Sequence, residues 1–203
     1  MNVSNLGLFL LSVIAISLSG VMMPGPVTAV TVTKGYKDKN AGALIALGHG
    51  IIEFPLIAAI YLGFGQFFTS PVAKTAIGLV GGLMLIYTGL LMFNAMRKGY
   101  GSKDLPYTPL VAGILTTAAN PYFFLWWATV GAALVIGASA FGSIGLLLFA
   151  LSHWLCDLIW GLFVSVTVFK SKGLWGKKAQ YAVFGGCAII LVGFGAWFIL
   201  SAV

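Results

Sequence analysis

Charge is what this chain has least of. Only four of its 203 residues are acidic and 7 % are charged, where a soluble domain carries about 25 %. That shortage argues against a soluble domain of useful size. Cysteine is nearly absent as well. Cys156 and Cys187 sit inside apolar runs, so they read as small buried hydrophobes and not as a disulfide or metal framework. Long polar loops are missing, and no Ser/His/Asp or Cys/His set gathers outside the apolar runs. The chain is therefore not read as an enzyme, and nothing in it calls for a cofactor. Met1–Asn5 holds no Lys or Arg and no Ala-x-Ala-like site follows, so the first apolar segment is read as a retained helix, not a signal peptide.

What the chain does have is apolar length. It is 60 % hydrophobic with a mean hydropathy of +1.05, and its apolar runs approach the ~20 residues that span a bilayer. Windows bounded by charge or turn residues predict six helices, near 5–33, 40–64, 72–95, 108–135, 142–169 and 178–202. Ten of the eleven basic residues fall in or beside three loops. Lys34, Lys37 and Lys39 lie in 34–39, Arg97, Lys98 and Lys103 in 96–107, and Lys170, Lys172, Lys177 and Lys178 at 170–177 and its edge. Only Lys74 falls on the other side. By the positive-inside rule those loops are cytoplasmic and both termini face outward, in a multi-pass protein of the cell's inner (plasma) membrane. The net charge of +7 follows from these loops and needs no nucleic-acid partner.

The chain also repeats. GHGIIEF at 48–54 and SHWLCDL at 152–158 each put a histidine four residues before a carboxylate. One offset of 104 residues carries His49 to His153, Glu53 to Asp157, Gly81-Gly82 to Gly185-Gly186, Gly89 to Gly193 and Lys74 to Lys178. Gly81, Gly82, Gly185 and Gly186 read first as close-packing positions, with a hinge role secondary. The first helix of each half matches with a slip of several residues: VMMPGPV (21–27) breaks helix 1 and TAANPYF (117–123) breaks helix 4. Three helices per half is an odd number, so the second half enters the membrane from the opposite face. The expected fold is an all-α integral membrane protein, six helices in a 3+3 inverted-topology repeat. The single membrane domain 1–203 divides into a first repeat 1–96, a cytoplasmic linker 97–107 and a second repeat 108–203.

Proline inside a helix removes a backbone hydrogen bond and clashes with the preceding turn. In hydrocarbon the freed groups are tolerated only beside protein or a water-filled cavity. Pro24, Gly25, Pro26, Asn120 and Pro121 should therefore face the interior, where each half-helix N-terminus favours an anion such as a substrate carboxylate. Thr28, Thr31, Thr116, Thr117 and Tyr122 lie close by as further candidates for substrate binding or gating. Tyr122, Phe123, Phe124, Trp126 and Trp127 follow Pro121 directly. Some are candidates to line an apolar pocket for a substrate side chain, and most are expected to pack against lipid or neighbouring helices. Trp154 and Trp160 are expected inside ahead of the others.

The His–carboxylate pairs sit at depth. Glu53 lies about 13 residues into its helix and Asp157 about 15 into its own, roughly 20 Å at 1.5 Å per residue. Ionisable groups near the midplane face the interior and mark a pathway or a proton relay. Three readings stand side by side. Glu53 and Asp157 carry coupling protons with His49 and His153 tuning them; or the same four residues hold a divalent metal cation, for which N and O ligands suit zinc; or each pair is a structural hydrogen bond.

MMPGPVTAVTVTKGYKDKNAGALIALGHGIIEF (22–54), TTAANPYFFLWW (116–127) and HWLCDLIWG (153–161) resemble the LysE/RhtB-type amino-acid exporters, the LysE family of translocators. The resemblance covers nearly the whole chain. Many members carry lysine after the Asn-Pro, where this chain has Tyr122. The resemblance implies a secondary active transporter that exports amino acids or related small metabolites by proton antiport, with substrate, protons and lipid as partners and a homo-oligomer as a further option. The wider superfamily includes exporters of divalent metals, so a His/carboxylate metal exporter is the alternative it leaves.

Overall fold

A computed structural model describes residues 5–23, 25–64, 67, 70–97 and 106–202. Pro24, Lys98, Lys103 and most of the expected linker 97–107 lie outside the described residues. Helices dominate and no strand occurs among the described residues. In chain order they are α1 (Leu6–Val21), α2 (Pro26–Gly35), α3 (Ala41–Tyr61), α4 (Pro71–Arg97), α5 (Pro109–Ala118), α6 (Pro121–Ser139), α7 (Gly142–Ser171) and α8 (Lys177–Ala202). Five of them, α3, α4, α6, α7 and α8, are long and apolar enough to cross a membrane, and the α1/α2 pair adds a sixth span bent by 77°. Large apolar side chains such as Val72, Ile136, Ile144 and Leu200 point outward, as lipid-facing residues do.

Both expected breaks are present, and local chemistry accounts for them. α2 begins with Pro26 at its first position behind Gly25. α6 begins with Pro121 behind Asn120, whose Oδ1 accepts from the Tyr122 N–H at 3.1 Å. Proline is preorganised for a first helical turn, where its missing N–H costs nothing. The expected helix 4 thus becomes two, and its second half runs on to Ser139, past the expected end. Within it Trp127–Gly131 form a π turn. A Cβ at Gly131 would collide with the Trp127 ring, so the glycine makes room for the indole there. Pro55 lies inside α3 without ending it.

Glycines set how closely the helices cross. Gly42 of α3 lies against the Gly161 carbonyl of α7, Gly48 against the Leu110 carbonyl of α5, and Gly113 of α5 against the Ile45 carbonyl. α4 and α8 pack more extensively than any other pair, with Gly82 and Gly195 meeting backbone to backbone. Gly81 and Gly82 are close-packing positions as expected, but Gly186 is not: nothing lies within 4 Å of a Cβ placed there, nor of one at Gly193. The two halves share a glycine spacing without sharing its use, because α8 turns that face outward.

Two apolar cores flank the middle of the molecule. One joins Phe9, Val13, Leu56, Ile57, Phe123, Trp127, Val135 and Phe149, all on the helix segments away from the lysine-bearing loops. The other joins Val30, Ile45, Leu85, Met92, Cys187 and Leu191. Cys156 and Cys187 are free and buried.

Candidate functional site

Residues four apart share one helix face, so His49 and Glu53 project together from α3, and His153 and Asp157 from α7. The fold brings the two pairs into one cluster. His153 Nε2 lies 3.0 Å and His49 Nε2 3.3 Å from Glu53 Oε1. Asp157 is more distant, 3.8 Å from His153 Nε2 and 4.0 Å from His49 Nε2. The shortest contact therefore crosses between helices, with His153 nearer to Glu53 than to its own partner.

The other face of each imidazole is occupied too. His49 Nδ1 is 2.8 Å from Thr117 Oγ1 of α5, and His153 Nδ1 is 2.7 Å from Ser17 Oγ of α1. Both hydroxyl residues are fully buried. Each histidine thus turns Nδ1 to a hydroxyl on a broken helix and Nε2 to the carboxylates. The rings are held by aromatic neighbours: Trp126 stacks on His153 at 5.3 Å, Trp127 meets it edge-on at 4.9 Å, and Phe123 meets His49 edge-on at 5.0 Å.

The two acids differ in access. Glu53 has no exposed surface, and neither of its oxygens has a hydrogen-bond partner among the described residues. Its contacts to the two imidazoles are of ion-pair length. An ionised carboxylate so buried is tolerable only beside a counter-charge, and the two imidazoles are what the fold sets there. Asp157 keeps 16 % of its side chain exposed and lines a cavity of about 150 Å³ with His49 and His153. Groups this close gain and lose protons as a unit.

The cavity extends from this cluster towards one end of the helices. It follows α3 from His49 back to Gly42 and α7 from His153 on to Val164, the ends that adjoin Lys37 and Lys39 and Lys172. Gly25, Pro26, Thr28, Thr31, Asn120 and Tyr122 line it, so both breaks face the interior as expected. Pro121 instead lines a second, apolar cavity with Tyr122. Thr117 reaches the cluster through His49, while Thr116 folds back onto the Ala112 carbonyl of its own helix. Trp160 lines the central cavity, and Trp154 bonds the Ala46 carbonyl at 2.9 Å.

One atom each from His49, Glu53 and Asp157 lie within 4.8 Å of one another, a spacing that a divalent cation could bridge. Sequence reasoning missed Ser17, and it set Trp126 and Trp127 beside the break without foreseeing their contacts with His153. Ser17 had a signal: an offset of 100 residues, a slip of the kind seen at the breaks, carries it to Thr117.

Comparison with known proteins adds to this geometry. A protein of Bacillus subtilis (strain 168) named "Putative amino acid efflux protein YcgF" is 29 % identical over 195 residues, which is 93 % of each chain. No solved structure gives a significant match. The family model described as LysE type translocator matches residues 18–202, and the chain therefore belongs to the LysE family of translocators.

Proposed function

We propose that this protein is a secondary active transporter that exports amino acids or related small metabolites by proton antiport. The observation that carries the reading is the meeting of His49, Glu53, His153 and Asp157 in one cluster, three of them lining a cavity between two broken helices and Glu53 sealed behind them. The family's description as translocators and the name of the Bacillus relative support export and an amino-acid cargo.

The geometry suggests how coupling works. Gly25, Pro26 and Thr28 at the start of α2 line the cavity, where a helix N-terminus favours a carboxylate. Asp157, the acid that faces the cavity, takes the substrate ammonium. A protonated Asp157 cannot pair with that ammonium, so proton and substrate exclude one another, which antiport requires together with a place to hold the proton. The imidazoles lead from Asp157 to the sealed Glu53, which stores the proton out of reach of the substrate. The apolar core around Phe9, Phe149 and Trp127 closes the opposite half of the molecule. The cavity is then the loading state, open towards the basic loops.

In this reading those loops are cytoplasmic, both termini are outside, and the membrane is the inner (plasma) membrane. Residues 1–96 and 108–203 are the two inverted repeats, joined by 97–107. The exchanged hydroxyl contacts favour this: each repeat's histidine leans on a hydroxyl from the other repeat's broken helix. The divalent-cation alternative keeps a suitable spacing but has neither the family's description nor the relative's name behind it.

Counterflow and pH-driven accumulation in proteoliposomes test the proposal. Glu53→Gln should keep amino-acid exchange and lose accumulation driven by a pH gradient. Unchanged pH-driven accumulation in that variant would remove the coupling role. Movement of zinc with no amino-acid signal would put the metal reading in its place.

A further inference from the structure

If the protein exports amino acids as proposed, the wall of the central cavity bears on which ones it takes, and the selectivity rests on that reading of the site. Asp157 is the one acid among the described lining residues, and no lysine or arginine is among them. Glu53 has no exposed surface and is not part of the wall. Beyond the cluster and the breaks the wall is apolar and aromatic, with Tyr122, Trp126, Trp160, Val164 and Phe194. We infer that the cavity takes zwitterionic α-amino acids with an uncharged apolar or aromatic side chain and rejects basic and acidic ones.

Charge pairing decides this. Asp157 is committed to the α-ammonium, so the second cation of lysine or arginine meets no carboxylate. A second substrate carboxylate meets no lysine or arginine, and the wall's two imidazoles, His49 and His153, are already turned to Glu53. An unpaired charge at this depth is strongly disfavoured, whereas an aliphatic or aromatic side chain gains by leaving water against indole and phenyl faces.

A second observation points to a bound solute. The Trp160 Nε1 donor is buried and has no acceptor among the described residues, on a residue that lines the cavity. A buried donor without a partner is costly, and a substrate oxygen would supply one. Trp160 also stacks on Phe163 at 5.4 Å, which holds the indole in place.

The test uses the full-length protein in proteoliposomes, loaded in turn with leucine, phenylalanine, lysine, arginine or glutamate. Leucine or phenylalanine should exchange at least about 50-fold faster than the charged three, the ratio implied by the gentlest insertion cost of one charge. Trp160→Phe keeps the ring and removes the donor. It should weaken apparent affinity for leucine by roughly five- to tenfold, one neutral hydrogen bond, without changing the order of preference. Exchange of lysine, arginine or glutamate at a rate near that of leucine overturns the inference and leaves the exporter standing. Unchanged affinity in Trp160→Phe overturns the donor role. A monodisperse protein that exchanges none of the five removes the amino-acid reading itself.

Discussion

At the scale of single residues, Ser17 and Thr117 stand out because a hydroxyl is both donor and acceptor. It donates to a neutral imidazole nitrogen and accepts from a protonated one. Each Nδ1 therefore keeps a partner in either charge state, and the rings need not move as protons come and go. Ser17→Ala strands a buried ring nitrogen at a cost of about 1–3 kcal/mol. The expected result is a melting temperature in detergent lowered by about 2–12 °C, since each kcal/mol is worth about 2–4 °C in a chain of this size. Ser17→Thr should restore most of that loss. Equal melting temperatures for wild type and Ser17→Ala would show that the 2.7 Å contact adds nothing to stability.

At the scale of helices, the breaks and crossings set the geometry of the site. Asn120 caps α6 through the Tyr122 N–H. Asn120→Ala should cost about 1 kcal/mol of cap energy, and Asn120→Asp should retain it. Thermal unfolding of the two variants compares them directly, and equal losses would mean that the side chain acts on something other than the helix end. Glycine positions give a matched pair. A Cβ at Gly42 would meet the Gly161 backbone, which neither helix can yield without moving. Gly42→Ala should destabilise by at least about 1–3 kcal/mol, as overpacking does. Gly193 has open space around it, so Gly193→Ala should be neutral or stabilising by up to about 1 kcal/mol. Comparable loss of folded protein in both variants, measured by fluorescence-detected size exclusion, would sink this account of the crossings.

At the scale of the whole molecule, orientation is the open variable that charge should decide. Lys37 is exposed at the basic end and Ser201 is exposed near the end of α8. In a chain whose native cysteines are replaced by alanine, an impermeant maleimide added to intact cells should label Ser201→Cys and spare Lys37→Cys. The reverse pattern would turn the protein over, and with it the assignment of the cavity as the loading side.

Much of this was legible along the chain because a bilayer makes the problem one-dimensional. A span needs a run of apolar residues and basic residues collect on one side, so the helices and the expected orientation can be read by position. Pro26 and Asn120-Pro121 mark the breaks by backbone chemistry that is local to them. The i,i+4 rule puts His49 with Glu53 and His153 with Asp157 without any knowledge of neighbours. Helix rotation is different, because it is set by contacts between residues far apart in sequence. The approach of Gly42 to Gly161 and of Gly48 and Gly113 to facing carbonyls decides how α3, α5 and α7 face one another. That rotation is why His153 lies nearer Glu53 than Asp157 and why Ser17 joins a cluster 136 residues away, just as the packing of α4 on α8 leaves Gly186 in open space while Gly82 meets Gly195. The sequence alone determined that the chain crosses a membrane on broken helices with buried His–carboxylate pairs. Only tertiary packing decided that the pairs become one cluster, with one acid facing the cavity and one sealed behind it.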